Sequence, residues 1–245
     1  RSLYTLFKKV GCDPKILTRV SELTKGITYT KKEDDGETVL YLPSEFISMF
    51  DGDDSIDHIN AKRYLKERGI TRSDIIKYNI GYCEEGKYSG RIIIPSYDAS
   101  GMLNYFVARS YYNVDYKYKN PPASRNVVMF DLHTSWNERL YLVEGVFDAI
   151  ATKSNAIPLL GKFVSKKLHA KIMGSSISEL VVALDSDARI DALKIVKKYM
   201  DQGITVRLLD LTDKDPADMG FKELETLVPI DMGFKSLMTH KISAK

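Results

Sequence analysis

The chain has 245 residues, of which 44% are hydrophobic and 28% are charged, which is ordinary for a globular protein of one large domain or two moderate ones. No apolar run approaches the roughly 18 residues that span a bilayer, and no secretory signal sequence is present, so we expect a cytoplasmic protein without a membrane partner. Cys12 and Cys83 lie far apart and the four histidines are scattered, which excludes a cysteine-based zinc site formed by these residues. Because the first residue is Arg1, we expect the chain to begin inside a longer protein.

The first 59 residues predict a helical lead-in or linker. Short helices are predicted at residues 2–10 and 14–23, and a strand at residues 38–42. Residues 50–57 are acidic and contain glycine, which indicates a surface loop. No residue pattern in this part points to chemistry, so a supporting role is favoured.

Residues 60–135 predict a subdomain of mixed helices and strands. A helix at residues 60–68 is stopped by the glycine that follows it, because glycine readily takes the backbone conformation that ends a helix. A second helix follows, with Thr71 or Ser73 as its cap. The two helices alone indicate no particular function.

A hairpin and an extended segment complete this subdomain. Residues 91–95 and 102–111 predict two strands joined by a polar turn that contains glycine, with Arg109 pointing outward near the end of the second strand. Two prolines within residues 117–122 exclude a helix there and favour an extended surface segment.

The basic and aromatic residues are concentrated in this part of the chain. Residues 60–125 contain 12 Lys or Arg against 6 Asp or Glu, although the formal net charge of the whole chain is only +3. Ten of the 15 tyrosines fall in the same window. Basic side chains that follow phosphates, interleaved with rings that stack on bases, are typical of a groove for single-stranded nucleic acid. An ordinary core with a solvated basic face explains the composition equally well.

Residues 136–228 alternate strands and helices. Apolar strands are predicted at residues 140–143, 181–184 and 204–209, with helical patterns between them. This alternation predicts a mostly parallel sheet flanked by helices. The fold class is therefore α/β, with an α+β N-terminal subdomain followed by this sheet, and residues 229–245 are predicted to form a C-terminal tail.

Acidic residues follow three of these strands. Glu144 comes directly after the first, Asp185 and Asp187 after the second, and Asp215 and Asp218 after the third. The carboxyl ends of parallel strands share one edge of a sheet, where ligands bind in open α/β folds. Carboxylates gathered there would repel one another without a cation, and hard oxygen ligands suit Mg²⁺ or Mn²⁺.

Structural roles for the same acids are the alternative. Aspartates after strands often cap helices, so either Asp185 or Asp187 alone could be a cap. Asp148, one turn into the helix after Glu144, could interact with the helix dipole. Three acidic motifs at three strand ends, in this order, favour a metal site over three unrelated caps.

These acidic motifs resemble those of the TOPRIM fold, which bacterial and phage primases, topoisomerases and some nucleases share. Three details depart from the pattern of primases: Ser186 stands where glycine is common, the helix after the aspartate pair lacks the usual glycine, and Ala217 separates the third motif into Asp-Pro-Ala-Asp. The last departure puts the role of Asp218 in doubt. The motifs are Glu144-Gly145-x-x-Asp148, Asp185-x-Asp187 and Asp215-Pro216-Ala217-Asp218.

The basic half of the chain resembles the catalytic core of bacterial-type DNA primases, in which an arginine and lysines form a basic ridge beside the acidic site. The resemblance spans about residues 60–227. The strings that carry it are Tyr64-Leu65-x-x-Arg68-Gly69-Ile70, Asn79-Ile80-Gly81-Tyr82, Arg91-Ile92-x-x-Pro95, Ala108-Arg109-Ser110 and Lys117-Tyr118-x-Asn120-x-Pro122.

This resemblance implies a set of site residues. The implied catalytic residues are Glu144, Asp185 and Asp187, and Glu144 either ligates metal or accepts the proton of the attacking hydroxyl. The implied metal ligands are Glu144, Asp185, Asp187, Asp215 and Asp218. The implied nucleic-acid or nucleotide contacts are Arg91, Arg109, Lys117, Lys119 and Lys162, with Arg125 as a further candidate. For each basic residue a solvated charge is the alternative.

The resemblance also implies an activity: synthesis of short RNA primers on single-stranded DNA from ribonucleoside triphosphates, by nucleotidyl transfer that depends on Mg²⁺ or Mn²⁺. A zinc-binding module and a replicative helicase are implied partners outside this chain, and compact spacings favour a phage source. A TOPRIM nuclease, which uses water as nucleophile, and a non-catalytic nucleic-acid-binding module are the alternatives. A topoisomerase is disfavoured because the chain is too short for strand-passage domains.

Overall fold

The computed structural model describes residues 7, 11–24, 39–52, 54–209, 211 and 230–231, and divides the chain into a unit of residues 1–36 and a unit of residues 37–245. In the first unit, helix α1 spans Pro14–Thr24, as the sequence predicts. The helix predicted at residues 2–10 lies outside the described residues, apart from residue 7. Residues 221–227, whose sequence also predicts a helix, lie outside them as well.

An antiparallel sheet of four strands begins the second unit, in the order β1-β2-β3-β4. Two helices stand between its first two strands in the sequence, and the long pair β3 and β4 is the predicted hairpin. The elements are β1 (Ile47–Ser48), α2 (Ile56–Glu67), α3 (Arg72–Lys77), β2 (Gly81–Cys83), β3 (Arg91–Tyr97) and β4 (Leu103–Ser110).

Helix starts in this sheet region follow their caps. Helix α2 begins four residues before its predicted start because the Ser55 hydroxyl accepts a hydrogen bond from the His58 backbone N–H at 3.0 Å. Thr71, one of the two predicted caps, begins α3 with a reciprocal capping box that includes Asp74. Gly69 ends the preceding turn with a backbone φ of +68°, a conformation that favours glycine.

The strand predicted at residues 38–42 is wrong for the residues described there. Residues 39–42 have no regular structure, and the first strand is the short β1, whose Ile47 lies opposite Tyr82 of β2. Leu40 and Leu42 instead pack as irregular chain against a small apolar cluster that contains Cys83 and Phe106. Tertiary packing therefore overrides the local preference for a strand.

A second sheet has five strands in the order β6-β5-β7-β8-β9. Strands β5 to β8 are parallel, as predicted, and β9 adds an antiparallel edge. Helix α4 packs against β5 and β6, and α6 packs against β7 and β8. The elements are β5 (Leu140–Val143), α4 (Val146–Ala151), β6 (Ala156–Pro158), α5 (Lys166–Met173), β7 (Leu180–Ala183), α6 (Arg189–Met200), β8 (Val206–Leu208) and β9 (Ile230–Asp231).

One hydrophobic core joins the two sheets. It contains Ile92 and Ile94 of β3 together with Leu142 of β5 and Val182 of β7. Ile93 points to the other face of β3 and packs in the smaller cluster, as side chains alternate along a strand. Both faces of β3 are therefore covered, which explains its uninterrupted apolar run.

Within the described parts of the chain, no helix has the length and apolar character needed to cross a bilayer. The domain boundaries predicted near residues 59, 135 and 228 remain predictions.

Candidate metal centre and nucleic-acid interface

The acidic site is built on the neighbouring central strands β5 and β7. Val143, the last residue of β5, lies opposite Ala183, the last residue of β7. Glu144 follows Val143 directly, and Asp185 follows Ala183 after one further residue. Because all residues of β7 and three of the four in β5 are buried, the strands fix where these two carboxylates leave the sheet.

A short helical turn brings in the third carboxylate. Residues 186–188 form a single 3-10 turn, closed by a hydrogen bond from the Ala188 N–H to the Asp185 carbonyl at 2.8 Å. Glu144 and Asp185 are half-buried, whereas Asp187 is exposed. One carboxylate oxygen from each of the three residues lies within 4.8 Å of the others. We call Glu144, Asp185 and Asp187 the acidic triad.

The donor set of the acidic triad fits a hard divalent cation. All three groups are carboxylates, and two negative charges at this separation repel by about 1 kcal/mol even in a medium as polar as water. Oxygen donors are the ligands of Mg²⁺, which also keeps several waters and substrate oxygens in its coordination shell. The exposed position of Asp187 leaves room for such ligands.

Lys162 approaches the acidic triad from the loop after β6. Its Nζ lies 2.8 Å from Oδ2 of Asp187. The backbone reaches this position through Leu160 and Gly161, which both have positive φ angles, +56° and +143°. The hydrogen bond to Asp187, with further attraction from Glu144, raises the pKa of Lys162, so its ammonium stays charged.

Asp148 has a structural role in this loop. It is buried, and its Oδ2 accepts a hydrogen bond from the Gly145 backbone N–H at 2.8 Å, which caps α4. A side chain at position 145 would meet this carboxylate, since an added Cβ would lie 2.9 Å from Oδ2. The glycine between Glu144 and the helix thus allows Asp148 to fold back onto the loop.

Two of the predicted basic residues lie on an extended segment beside β4. Lys117 and Lys119 are both exposed. The Lys117 carbonyl accepts from the Ser110 N–H at 2.8 Å, and the Lys119 N–H donates to the Ala108 carbonyl at 3.0 Å. Residues 117–119 therefore add a short backbone pairing to the edge strand, with lysines directed to solvent on either side of Tyr118.

Arg109 lies among aromatic rings. Its guanidinium carbon is 4.6 Å from the centre of the Tyr118 ring and 5.9 Å from that of Tyr64. Burial raises the pKa of Tyr118 while the nearby Arg109 opposes the rise, and the phenol stays neutral. Neither ring was singled out from the sequence as a partner of Arg109, although Tyr118 stands within the Lys-Tyr-x-Asn string.

Arg91 and Arg125 bind backbone carbonyls. Arg91 donates to the carbonyls of Ser89 and Tyr116, at 3.0 and 3.4 Å. Arg125 donates to the Leu160 carbonyl at 3.3 Å, at the loop that carries Lys162. These contacts hold loops in place, so both arginines have a structural function whether or not they also contact phosphate.

The third acidic motif lies outside the described residues. Asp215 and Asp218, both predicted metal ligands, belong to residues 212–229, of which the structure describes none. The strand that precedes this motif in the sequence is β8, which pairs with β7 and ends at Leu208. Their place in the metal site stays a prediction.

No family model matches the sequence. A curated DNA primase from Thermotoga maritima is 27% identical, over 67% of this chain and 38% of the relative. The chain thus spans less than half the length of that relative.

Two solved primase structures are similar to the chain. The catalytic core of the Escherichia coli primase matches with a TM-score of 0.60 and 18% identity, over 77% of this chain and 78% of that one. A DnaG primase catalytic domain bound to single-stranded DNA matches with a TM-score of 0.59 and 18% identity, over 78% of this chain and 79% of that one. On these likenesses, this chain has the fold of the bacterial-type DNA primase catalytic core.

Proposed function

We propose that the chain is the polymerase core of a DNA primase, which makes short RNA primers on single-stranded DNA by metal-dependent nucleotidyl transfer. The observation that carries this proposal is the acidic triad, in which one carboxylate oxygen from each residue lies within 4.8 Å of the other two, at the carboxyl edge of the parallel sheet. The curated primase and the primase core structures support it.

We assign the metal to the acidic triad. Glu144, Asp185 and Asp187 would hold Mg²⁺ or Mn²⁺, and Asp215 and Asp218 are proposed as further ligands. When bound, such a cation neutralises charge on the transferring phosphoryl group and on the leaving pyrophosphate. The position of Glu144 at the end of β5, in one group with two other carboxylates, favours metal ligation over a separate role as proton acceptor.

The basic residues would bind the polyanionic substrates. Lys162, held 2.8 Å from Asp187, is placed to contact the triphosphate of a nucleotide that binds at the triad. Arg109, Lys117 and Lys119 would follow the phosphates of the template strand. The two lysines are exposed on the segment that pairs with β4, next to Arg109 of that strand. Arg91 would act mainly by holding the backbone at residue 116.

Further partners follow from the proposed reaction. Single-stranded DNA and ribonucleoside triphosphates are the proposed substrates, in line with the single-stranded DNA that one similar primase domain binds. A zinc-binding module and a replicative helicase are proposed as partners outside this chain, and the cytoplasm as its location. A phage source remains a prediction from the sequence.

Incorporation of a labelled ribonucleotide on a single-stranded DNA template, with Mg²⁺ or Mn²⁺, tests the function. We expect RNA products from the unchanged protein and a loss of about a hundredfold or more in Glu144→Gln and Asp185→Asn. The matched control is Glu138→Gln, because Glu138 is exposed and lies just before β5, at the opposite end of the strand from Glu144. This control should retain full activity.

Binding of Mn²⁺, measured by electron paramagnetic resonance on the same variants, separates the two roles of Glu144. As a metal ligand Glu144 is required for tight binding, so Glu144→Gln should weaken it; a proton acceptor alone would leave binding unchanged. Shortening of the template without RNA products would indicate a nuclease. No product and no Mn²⁺ binding would leave a nucleic-acid-binding module as the better account.

A further inference from the structure

The pairing of Arg109 with Tyr118 is fixed by backbone hydrogen bonds. The Ser110 N–H donates to the Lys117 carbonyl at 2.8 Å, and the Lys119 N–H donates to the Ala108 carbonyl at 3.0 Å. Between these bonds Arg109 and Tyr118 stand directly opposite each other in an antiparallel bridge. In such a pair, which exchanges no hydrogen bonds itself, the two side chains lie closest together and on the same face.

A second contact holds this segment in register. The side-chain oxygen of Asn120 accepts a hydrogen bond from the Ala108 N–H at 3.2 Å. The next two residues, Pro121 and Pro122, restrict the backbone further. Tyr118 is therefore placed over Arg109 by its backbone as well as by attraction between the ring and the cation, for which the separation of 4.6 Å is suitable.

Tyr64 of α2 contacts the arginine as a second ring. Its centre lies 5.9 Å from the Arg109 guanidinium carbon, and 6.0 Å from the centre of the Phe147 ring in an edge-on arrangement. Phe147 belongs to α4, which starts two residues after Glu144. The aromatic contacts thus extend from the segment of residues 117–119 to the helix that follows Glu144.

We propose that Tyr118 is a positioning residue that holds the Arg109 guanidinium for a phosphodiester of single-stranded DNA. A ring over the guanidinium face leaves the N–H groups at its edge to donate to phosphate oxygens, and restricts a side chain that otherwise has many rotamers. Tyr118 acts through Arg109 and makes no phosphate contact of its own. This inference rests on the proposed function, because it takes the template strand as the ligand.

The test measures binding of fluorescein-labelled oligothymidylate by anisotropy, in EDTA and without nucleotides, over a range of potassium chloride concentrations. Arg109→Gln should weaken binding about tenfold and reduce the salt dependence by about 0.7 in logarithmic slope, as expected for one lost phosphate contact. Tyr118→Leu should weaken binding about threefold and lower the same slope, whereas Tyr118→Phe, which keeps the ring, should bind like the unchanged protein.

The double variant Arg109→Gln/Tyr118→Leu identifies the mechanism. We expect it to bind no more weakly than Arg109→Gln alone, since Tyr118 then has no cation to position. The proposal would be overturned if the losses of binding free energy in the two single variants added up in the double variant. It would also be overturned if Tyr118→Phe and Tyr118→Leu weakened binding equally. The control is Tyr41→Leu, because Tyr41 is a 76% exposed tyrosine on an irregular stretch, and its loss should leave binding unchanged.

The binding assay is independent of the proposed reaction. A protein that synthesises no RNA but keeps the coupling between Arg109 and Tyr118 would refute the reaction and leave the positioning role intact. A protein that synthesises RNA but shows additive losses would refute the positioning role alone. Far-ultraviolet circular dichroism of each variant verifies that the fold is retained.

Discussion

Replacing Asp74 with asparagine should destabilise the protein in a way that depends on pH. Asp74 is buried, and its Oδ2 accepts hydrogen bonds from the Thr71 N–H at 2.7 Å and the Thr71 hydroxyl at 2.6 Å. The same carboxylate forms an ion pair with Lys153, which lies just beyond α4. Burial raises the pKa of Asp74, but hydrogen bonds from Lys153 and Thr71 outweigh it, so the pKa is lowered overall.

The magnitude follows from these contacts. Loss of the carboxylate in the capping box costs about 1 kcal/mol. A hydrogen bond between charged groups contributes about 1.5–3 kcal/mol, and we take the lower part of this range because the Lys153 side chain is 23% exposed and can turn to water. The free energy of unfolding should therefore fall by about 2–3 kcal/mol, which corresponds to about 4–12 °C in Tm.

Urea unfolding followed by the fluorescence of Trp136, the single tryptophan, measures this loss. Because the pKa of Asp74 is lower in the folded state, its contribution is complete above the unfolded pKa of about 4 and is lost as the pH falls through the folded value. The difference between the two proteins should shrink below about pH 4.

The control is Asp201→Asn. Asp201 also pairs with a lysine, Lys197, but both side chains are exposed, so the loss should be at most about 0.5 kcal/mol. An equal loss in the two variants, or a loss from Asp74→Asn that is the same at neutral and acidic pH, would refute the reasoning.

Three further changes test other parts of the structure. Ser96→Ala should cost about 1–3 kcal/mol in urea unfolding, because the buried Ser96 hydroxyl accepts a 2.9 Å hydrogen bond from the backbone N–H of Phe130, which would be left unsatisfied; Ser96→Thr is the conservative comparison. Glu179→Gln should also lower the free energy of unfolding, by about 1–3 kcal/mol, since this buried carboxylate pairs with Arg207 at 2.8 Å. A loss of stability that disappears at high salt would contradict this, because it would show that the ion pair is screened by solvent. Lys162→Met should tighten Mn²⁺ binding about threefold, because it removes a cation 2.8 Å from an acidic ligand, and weaker binding in a paramagnetic resonance titration would contradict this.

Much of the fold follows from local sequence. Alternating and continuous apolar runs predict the long hairpin and the parallel strands, because a strand exposes its faces with a period of two residues. The sequence predicts the helix stop at Gly69 and restricts the cap of α3 to Thr71 or Ser73, of which the structure selects Thr71. The start of α2 was missed because Ser55 lies in an acidic stretch that has the composition of a loop.

The proximity of the acidic residues depends on the order of strands in the sheet. Strand β6 separates Glu144 from Asp185 in the chain, yet β6 lies at the edge and β5 pairs directly with β7. The sequence predicts which residues follow strands, but the neighbours of each strand are determined by how helices and crossovers pack. Spacing alone therefore identifies the candidates without showing that three carboxylates meet.

Contacts across long stretches of chain are decided by the tertiary structure alone. The ring of Tyr64 reaches Arg109 from α2, and Lys153 pairs with Asp74, 79 residues earlier in the chain. Neither contact is indicated by the local sequence around these residues. The amino-acid sequence thus determines the strands, the caps and the acids at the strand ends through local periodicity and backbone preference. Only the folded chain decides which charges are buried and which rings cover them, because register and packing bring together groups that local interactions cannot connect.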